Sequence, residues 1–278
     1  MLYLCATPIG NLEDISMSAV RILKECDLIA AEDTRNSIKL LSHFDIHTPM
    51  TSYHEFNKVD KARELVAMML EGKDIVCITD AGTPGISDPG EELVRQAREA
   101  GITVTSIPGA CACITALTMS GLPTRRFAFE AFLPTDKKEL RRVLDEMKTE
   151  TRTVVMYEAP HRLLKTLQML LSELGDRKMV ICKELTKKHE NSYEGTISSM
   201  IARFTAEEPK GEYVLVIEGR SHDDIEQEEQ AKWDTMSMEE HLQLYLDRGM
   251  DKKEAMKAVA TDRGISKRDV YQALLASE

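Results

Sequence analysis

At 278 residues the chain is longer than one typical domain, and 42% apolar residues is enough for real cores, so two domains with a small appendage are expected. A formal net charge of -11 argues against a general nucleic-acid coat. The opening MLYLCATPIG has no basic segment and too short an apolar run for a signal peptide or membrane span, which points to a cytoplasmic protein.

The first 120 residues alternate strand and helix signals. LYLCA reads as a strand, and SMSAVRILKEC as an amphipathic helix capped by Ser16 or Ser18. DLIAAE is a strand, TRNSIKLLSHF a helix opened by Thr34, and KARELVAMMLEG a helix stopped by Gly72. Strand DIVCIT, a helix after Pro89, strand ITVTSI and helix ACACITALTMSG complete the series. Such alternation predicts a mostly parallel sheet with helices on both faces.

After the SGLP turn the pattern changes. FAFEAFLP alternates, a charged helix spans Lys137–Lys148, and TRTVVMYEAP is a strand ending at proline. A helix over Arg162–Leu174 and strand KMVICKEL follow. Two more strands, NSYEGT and EYVLVIEG, show no long helix between them, so antiparallel pairing is expected. The expected organisation is an α/β domain at 1–120, a second at 121–220, an acidic linker at 221–234, and a helix-turn-helix-like tail at 235–278. The tail reads as three helices, with Gly249 and Gly264 as stops and Ser266 as a cap. A packing element and a nucleic-acid contact through Lys267 and Arg268 both fit that spacing.

Charge is unevenly spread. Residues 1–120 carry 10 Lys and Arg against 17 Asp and Glu, residues 121–220 carry 18 against 16, and residues 221–278 carry 8 against 14. The middle third is therefore relatively basic. The six cysteines (Cys5, Cys26, Cys77, Cys111, Cys113 and Cys182) mostly sit in apolar runs without a CxxC pair, so buried free thiols and no metal site are expected.

The stretch ITDAGTPGISDPG crowds three glycines, two prolines and two aspartates between a strand and a helix. Glycine permits close backbone approach and positive φ, while proline lowers the entropy of the free loop. An ordinary βα connection needs one such residue, so five mark a rigid binding rim at the carboxyl end of a strand. No GxxxxGK[ST] occurs and no GxGxxG follows a strand, and the first βα loop, ATPIGNLED, ends in acids that would repel phosphate. A neutral or zwitterionic ligand with a ribose and an amino acid suits the loop. S-adenosylmethionine fits that description, although spacing alone does not single it out.

Ten blocks occur in order: YLCATPIGNLEDIS, AEDTR, SYHEFN, ITDAGTPGISDPG, SIPGACACITAL, SGLP, FAFEAFLP, MYEAPHRL, CKELTKKHENSYEGT and KGEYVLVIEG. Together they resemble the tetrapyrrole methylase superfamily of S-adenosylmethionine enzymes over about residues 1–220. They are most similar to its ribosomal RNA branch, which methylates a cytidine ribose 2′-hydroxyl in 16S ribosomal RNA, and the helical tail matches that branch's extra domain. The resemblance implies two α/β domains of tetrapyrrole-methylase type plus the tail, S-adenosyl-L-methionine as cofactor, a homodimer, and a cleft between the domains. It assigns the cofactor wall to Thr7, Pro8, Asp80, Ala81, Gly82, Thr83, Ile86 and Ser87, with Pro108, Gly109, Cys111 and Ala112 from the next loop. From the second domain it adds Tyr157, Leu185, Gly211 and Glu212, with Ala159 and Tyr213 beside them. Where the family usually reads PGPSA, this chain has Pro108-Gly109-Ala110-Cys111-Ala112. Any contact at position 111 is therefore expected from the backbone.

Methyl transfer to an alcohol requires alignment of oxygen, carbon and sulfur, and removal of the hydroxyl proton. Glu158, Glu184 and Lys187 are the candidate catalytic residues, and a carboxylate buried in the cleft is expected to have a raised pKa. Lys187 or Lys183 orienting a phosphate, His161 capping a helix, and transfer by positioning alone remain alternatives. Arg125, Arg126, Lys137, Lys138 and Lys188, with Lys267 and Arg268 of the tail, are the candidate RNA contacts. The helix pairs, including Arg141-Arg142, equally fit a solvated face, and Arg35 fits an ion-paired loop anchor. Two other classes stay open: a corrinoid-type methylase acting on a small tetrapyrrole, which has no need of the tail, and a non-enzymatic nucleic-acid regulator, which leaves the glycine–proline loop unexplained.

Overall fold

The computed structural model describes residues 1–221, 223–225, 231, 233 and 235–276. Its first sheet holds β1 (Leu2–Cys5), β2 (Leu28–Ala31), β3 (Met50–Ser52), β4 (Ile75–Ile78) and β5 (Val104–Ile107), in the order β3-β2-β4-β1-β5. All pairings are parallel. The run Ile75-Val76-Cys77-Ile78 is buried throughout, as a strand covered on both faces requires. Helices α1 (Met17–Glu25) and α2 (Thr34–His43) cover one face, where Ala19, Leu23 and Leu41 meet Cys5, Ile29 and Val76. Helices α3 (Lys58–Leu70) and α4 (Gly90–Glu99) cover the other, where Leu65 and Leu93 meet Leu2, Ile75 and Cys77.

Local signals set most boundaries. Ser16 caps α1 by accepting from the Ala19 N–H. The cap of α2 is Asp33, not Thr34, because its carboxylate reaches the Arg35 N–H. Strand β3 has only three residues and no alternation to betray it. Helix α3 starts at Lys58, ahead of the apolar spacing that suggested it.

Helix α5 (Ala112–Met119) follows β5 but packs elsewhere. Its Cys113, Ala116 and Leu117 lie against Val155, Val180, Val214 and Val216 of the second sheet. That sheet holds β6 (Phe127–Phe132), β7 (Thr153–Glu158), β8 (Lys178–Lys183), β9 (Asn191–Thr196) and β10 (Tyr213–Ile217), in the order β6-β7-β10-β8-β9. Strand β6 runs parallel to β7, and the remaining pairs are antiparallel. Helices α6 (Lys137–Thr149) and α7 (Pro160–Leu174) lie between its first strands in sequence. The absence of a helix between β9 and β10 is corrected: ISSMIARFTA forms α8 (Ile197–Ala206), capped by Thr196, and the two strands do not pair with each other. Three serine and threonine hydroxyls obscure its apolar face, which is Ile197, Met200 and Phe204 at helical spacing. Phe204 meets Tyr193 and Tyr213 edge-on at 5.6 Å, seating α8 on the sheet beside α7.

The chain divides into two compact units, Met1–Asp145 with Arg152–Glu218, and Glu146–Thr151 with Gly219–Glu278. Both sheets belong to the first. The second contains α9 (Met238–Asp247), α10 (Lys252–Asp262) and α11 (Lys267–Ala276) around Leu242, Ala255, Val259 and Val270. Asp251 caps α10, and Ser266 and Asp269 cap α11 reciprocally. His241 is wholly buried there, stacked on Trp233 at 4.0 Å between Asp262 and Arg263. The acidic stretch proposed as a linker lies largely outside the described residues. No helix among the described residues is long and apolar enough to cross a membrane.

Candidate active site

Strand order locates the site. From β1 the chain crosses by α1 to β2, beyond β4; from β4 it crosses by α4 to β5, beyond β1. The connections leave neighbouring strands in opposite directions, which opens a crevice at their carboxyl ends. An isolated antiparallel bridge ties the loops together there: the Thr7 N–H donates to the Gly82 carbonyl at 2.9 Å, and the Gly82 N–H returns to the Thr7 carbonyl at 3.1 Å. Gly82 has φ 88°, where a side chain would be strained. The Thr83 hydroxyl donates to the Ala110 carbonyl at 2.9 Å, fastening the loop after β5. Asp88 accepts from the N–H groups of Gly85, Ile86 and Gly90, which explains the second aspartate of the glycine–proline stretch.

Beside these loops is a cavity of about 520 Å³, within the range of small-molecule sites. Of the residues assigned to a cofactor, Ala81, Gly82, Thr83, Ile86, Cys111, Ala112, Tyr157, Leu185 and Glu212 line it, together with Glu158, Ala159, His161 and Tyr213. Thr7, Pro8, Ser87, Pro108, Gly109 and Gly211 do not line it. The Thr7 hydroxyl is spent on the Thr79 carbonyl. Gly109 lies where a Cβ would be 2.7 Å from the Ala6 Cβ. The Asp80 carboxylate is also outside, because the N–H of Asp33 and the amide of Asn36 at the start of α2 draw it away. Arg35, largely exposed, pairs with Asp33, the cap of its own helix, at 2.7 Å.

The sequence reading missed Ile9, Phe132, Pro160, Cys182 and Val214 in the wall. Cys182 and Val214 are inward residues of alternating strands, but nothing local says which face borders a cavity. Ile9 arrives because the first loop crosses to the second half, where the Asn11 N–H donates to the Thr186 hydroxyl at 3.0 Å.

Backbone strain concentrates around the wall. Of the five described non-glycine residues with positive φ, Ser87 follows Ile86, Ala131 precedes Phe132, and Glu184 and Thr186 flank Leu185. Such conformations cost about 1–3 kcal/mol each and persist where the surroundings impose them. Here they aim three apolar side chains, Ile86, Phe132 and Leu185, at one cavity.

The carboxylates have defined partners. Glu158, whose side chain is fully buried, accepts from the Thr166 hydroxyl at 2.6 Å and the Ala159 N–H at 2.8 Å, with the Arg162 guanidinium at 3.4 Å. It thereby fixes the start of α7, whose N-cap is Ala159 rather than His161. Glu184 accepts from the Glu212 N–H at 2.9 Å and from Lys187 Nζ at 3.0 Å, and Lys187 also reaches Glu212 at 2.7 Å. The expectation of a raised pKa fails for Glu184. Burial pushes its carboxyl up, but the Glu212 N–H and the Lys187 ammonium outweigh burial and hold it below the ordinary value. Burial likewise opposes the charge on Lys187, yet Glu212 and Glu184 keep its pKa above the ordinary value, so it stays an ammonium.

The candidate RNA contacts Arg125, Arg126, Lys137, Lys138 and Lys188 are exposed. In the helical unit, Lys267 and Arg268 share a concavity with Lys252, Lys253 and the exposed ring of Tyr271. Among the described residues no group of three His, Cys, Asp or Glu side chains is placed to hold a metal ion.

The ribosomal RNA small subunit methyltransferase I of Halalkalibacterium halodurans is 49% identical over 270 residues, covering 97% of this chain and 93% of that protein. The protein of the same name from Bacillus subtilis is 44% identical over 273 residues, covering 98% and 93%. Uroporphyrin-III C-methyl transferase from Thermus thermophilus, solved in complex with S-adenyl homocysteine, matches 77% of this chain and 96% of its own with a TM-score of 0.53. At 19% identity that likeness is one of fold. Residues 1–201 match the model of the Tetrapyrrole (Corrin/Porphyrin) Methylases. With crevice, strand order and relatives agreeing, the chain belongs to the tetrapyrrole (corrin/porphyrin) methylase family, in the branch of the ribosomal RNA small subunit methyltransferase I proteins.

Proposed function

We propose that this chain is a cytoplasmic enzyme that moves a methyl group from S-adenosylmethionine to a cytidine ribose 2′-hydroxyl in 16S ribosomal RNA. The observation that carries the reading is the cavity at the strand-order reversal, in a chain so similar to proteins of that name. The residues fit the cofactor. Ile9, Ile86 and Leu185 offer apolar surface to a purine, and the loop backbones offer amide groups to ribose and amino acid. Bound there, S-adenosylmethionine would supply an electrophilic methyl on a sulfonium whose departure needs no acid.

The chain's own residues act mainly by placement. The Thr7–Gly82 bridge and the Thr83–Ala110 bond hold the floor rigid, so little ordering is left for the moment of binding. Lys187 clamps Glu184 to Glu212 and keeps one rim in register, and Glu158 holds the start of α7 at the other. We assign Glu158, Glu184 and Lys187 to positioning, because each is committed to fixed partners. The exposed bases Arg125, Arg126, Lys137, Lys138 and Lys188, with Lys267 and Arg268 of the helical unit, would meet RNA phosphate. A homodimer completes the proposal: Phe56, 97% exposed, and Met17, 91% exposed, are side chains that a second copy would cover.

Calorimetry should detect binding of S-adenosylmethionine or its homocysteine product, and Gly82→Val should weaken it by about tenfold or more, since a branched side chain opposes φ 88°. Folded protein that binds neither compound would overturn the cofactor reading. Glu184→Gln, which keeps an acceptor for the Glu212 N–H, should slow single-turnover methylation of ribosomal RNA by less than about tenfold. A loss on the order of 10² to 10⁴ would instead make Glu184 the base. Replacing Lys267 and Arg268 together by Glu should weaken RNA binding and flatten its dependence on salt by about one unit of slope per lost contact. Unchanged RNA affinity would reduce the tail to a packing element. Sedimentation at micromolar concentration should give a dimer, and a monomer would remove that part of the proposal.

A further inference from the structure

Cys111 and Cys113 stand apart from the other four thiols. Cys5, Cys26, Cys77 and Cys182 are buried, and burial pushes each of them up, Cys5 to about 12 and Cys26 to about 11. Cys111 is half-buried and lines the cavity, while Cys113 lies behind it, 3% exposed. Their sulfurs are 3.4 Å apart and share a hydrogen bond. Cys111 is the N-cap of α5, at the positive end of the helix dipole, which favours an anionic sulfur. The Cys113 S–H is the main reason the Cys111 thiol is held below its ordinary value, and the same bond pushes Cys113 up. The Tyr157 hydroxyl lies against Cys113 from β7. The proposed methyl transfer uses neither sulfur.

We propose that Cys111 and Cys113 are a peroxide-reactive thiol pair that closes to a disulfide in the cavity wall, with Cys111 as the attacking sulfur. The Cys111 thiolate attacks one oxygen of hydrogen peroxide, the O–O bond breaks, and hydroxide leaves and takes up a proton as water. Cys111 is then a sulfenic acid. The Cys113 sulfur attacks it, the S–O bond breaks, and the departing hydroxide takes the Cys113 proton as a second water. The two thiols are oxidised by two electrons, and the peroxide is reduced to two waters. Bond formation requires the sulfurs to close from 3.4 Å to roughly 2.05 Å. Reaction would draw the Cys111 sulfur from the cavity toward the base of α5.

The inference stands without the cofactor reading, and its test uses no methylation. Full-length protein at neutral pH is treated with hydrogen peroxide, its remaining thiols are blocked, and its peptides are mapped by mass. The expected product has lost about 2 Da, with the link between Cys111 and Cys113, and dithiothreitol restores it. In the unoxidised protein, iodoacetamide should label Cys111 at least about tenfold faster than Cys182, which lines the same cavity. Cys113→Ser should stop oxidation at a sulfenic acid on Cys111 that dimedone traps. A wild-type protein that forms no 111–113 link, or labels Cys111 no faster than Cys182, overturns the proposal whether or not the variant folds.

Discussion

The two-bond bridge between Thr7 and Gly82 is the contact on which the site depends. Strands β1 and β4 are neighbours whose connections run to opposite sides of the sheet, so their loops would splay without it. The bridge joins them at the base of the crevice, and the Thr7 hydroxyl adds a third tie to the Thr79 carbonyl. Gly82 is needed because the backbone turns through φ 88° where it meets Thr7. From that fixed point the Thr83 hydroxyl reaches the Ala110 carbonyl, so three loops from three strands form one floor.

The other half of the cavity is built under tension. Leu185 enters the wall between two residues of positive φ, Glu184 and Thr186. Hydrogen bonds offset that strain: Glu184 takes the Glu212 N–H and the Lys187 ammonium, and Thr186 donates its N–H to Glu190. Gly211 lets the Glu184 carboxyl pass, since a Cβ there would lie 2.6 Å from its carboxyl carbon. The same bonds hold the Glu184 carboxyl below its ordinary value and make it a poorer proton acceptor. Rigidity of the rim and basicity of the carboxylate are alternatives here, and the geometry favours rigidity.

The helical unit gathers cations in a chain that is acidic overall. Its small core of Leu242, Ala255, Val259 and Val270 brings the start of α10 near the start of α11. Lys252, Lys253, Lys267 and Arg268 therefore line one concavity, with Tyr271 exposed beside them. A net charge of -11 does not oppose local phosphate binding, because screening at physiological salt confines each charge to about 8 Å.

The alternation of strands and helices, the change of pattern after residue 121, the three tail helices and the rigidity of the Ile78–Gly90 loop were all legible in the sequence. Each follows from short-range spacing of apolar residues or from backbone restrictions of glycine and proline. Tertiary structure decided what those elements face. Cys113, Ala116 and Leu117 declare α5 apolar on one side, but only the folded chain shows that the second sheet, not the first, receives it. Asp80 and Glu184 read alike as carboxylates after strands. One turns to the Asp33 N–H and the Asn36 side-chain amide at the start of α2, and the other to a lysine three residues on and an N–H twenty-eight residues on. The Cys111–Cys113 contact depends on a helix starting between them, and the cavity wall on residues as distant as Ile9 and Val214. Periodicity records that a face is apolar and composition that a group is ionisable. Partner, burial and proton affinity depend on contacts that form only when distant segments close on one another.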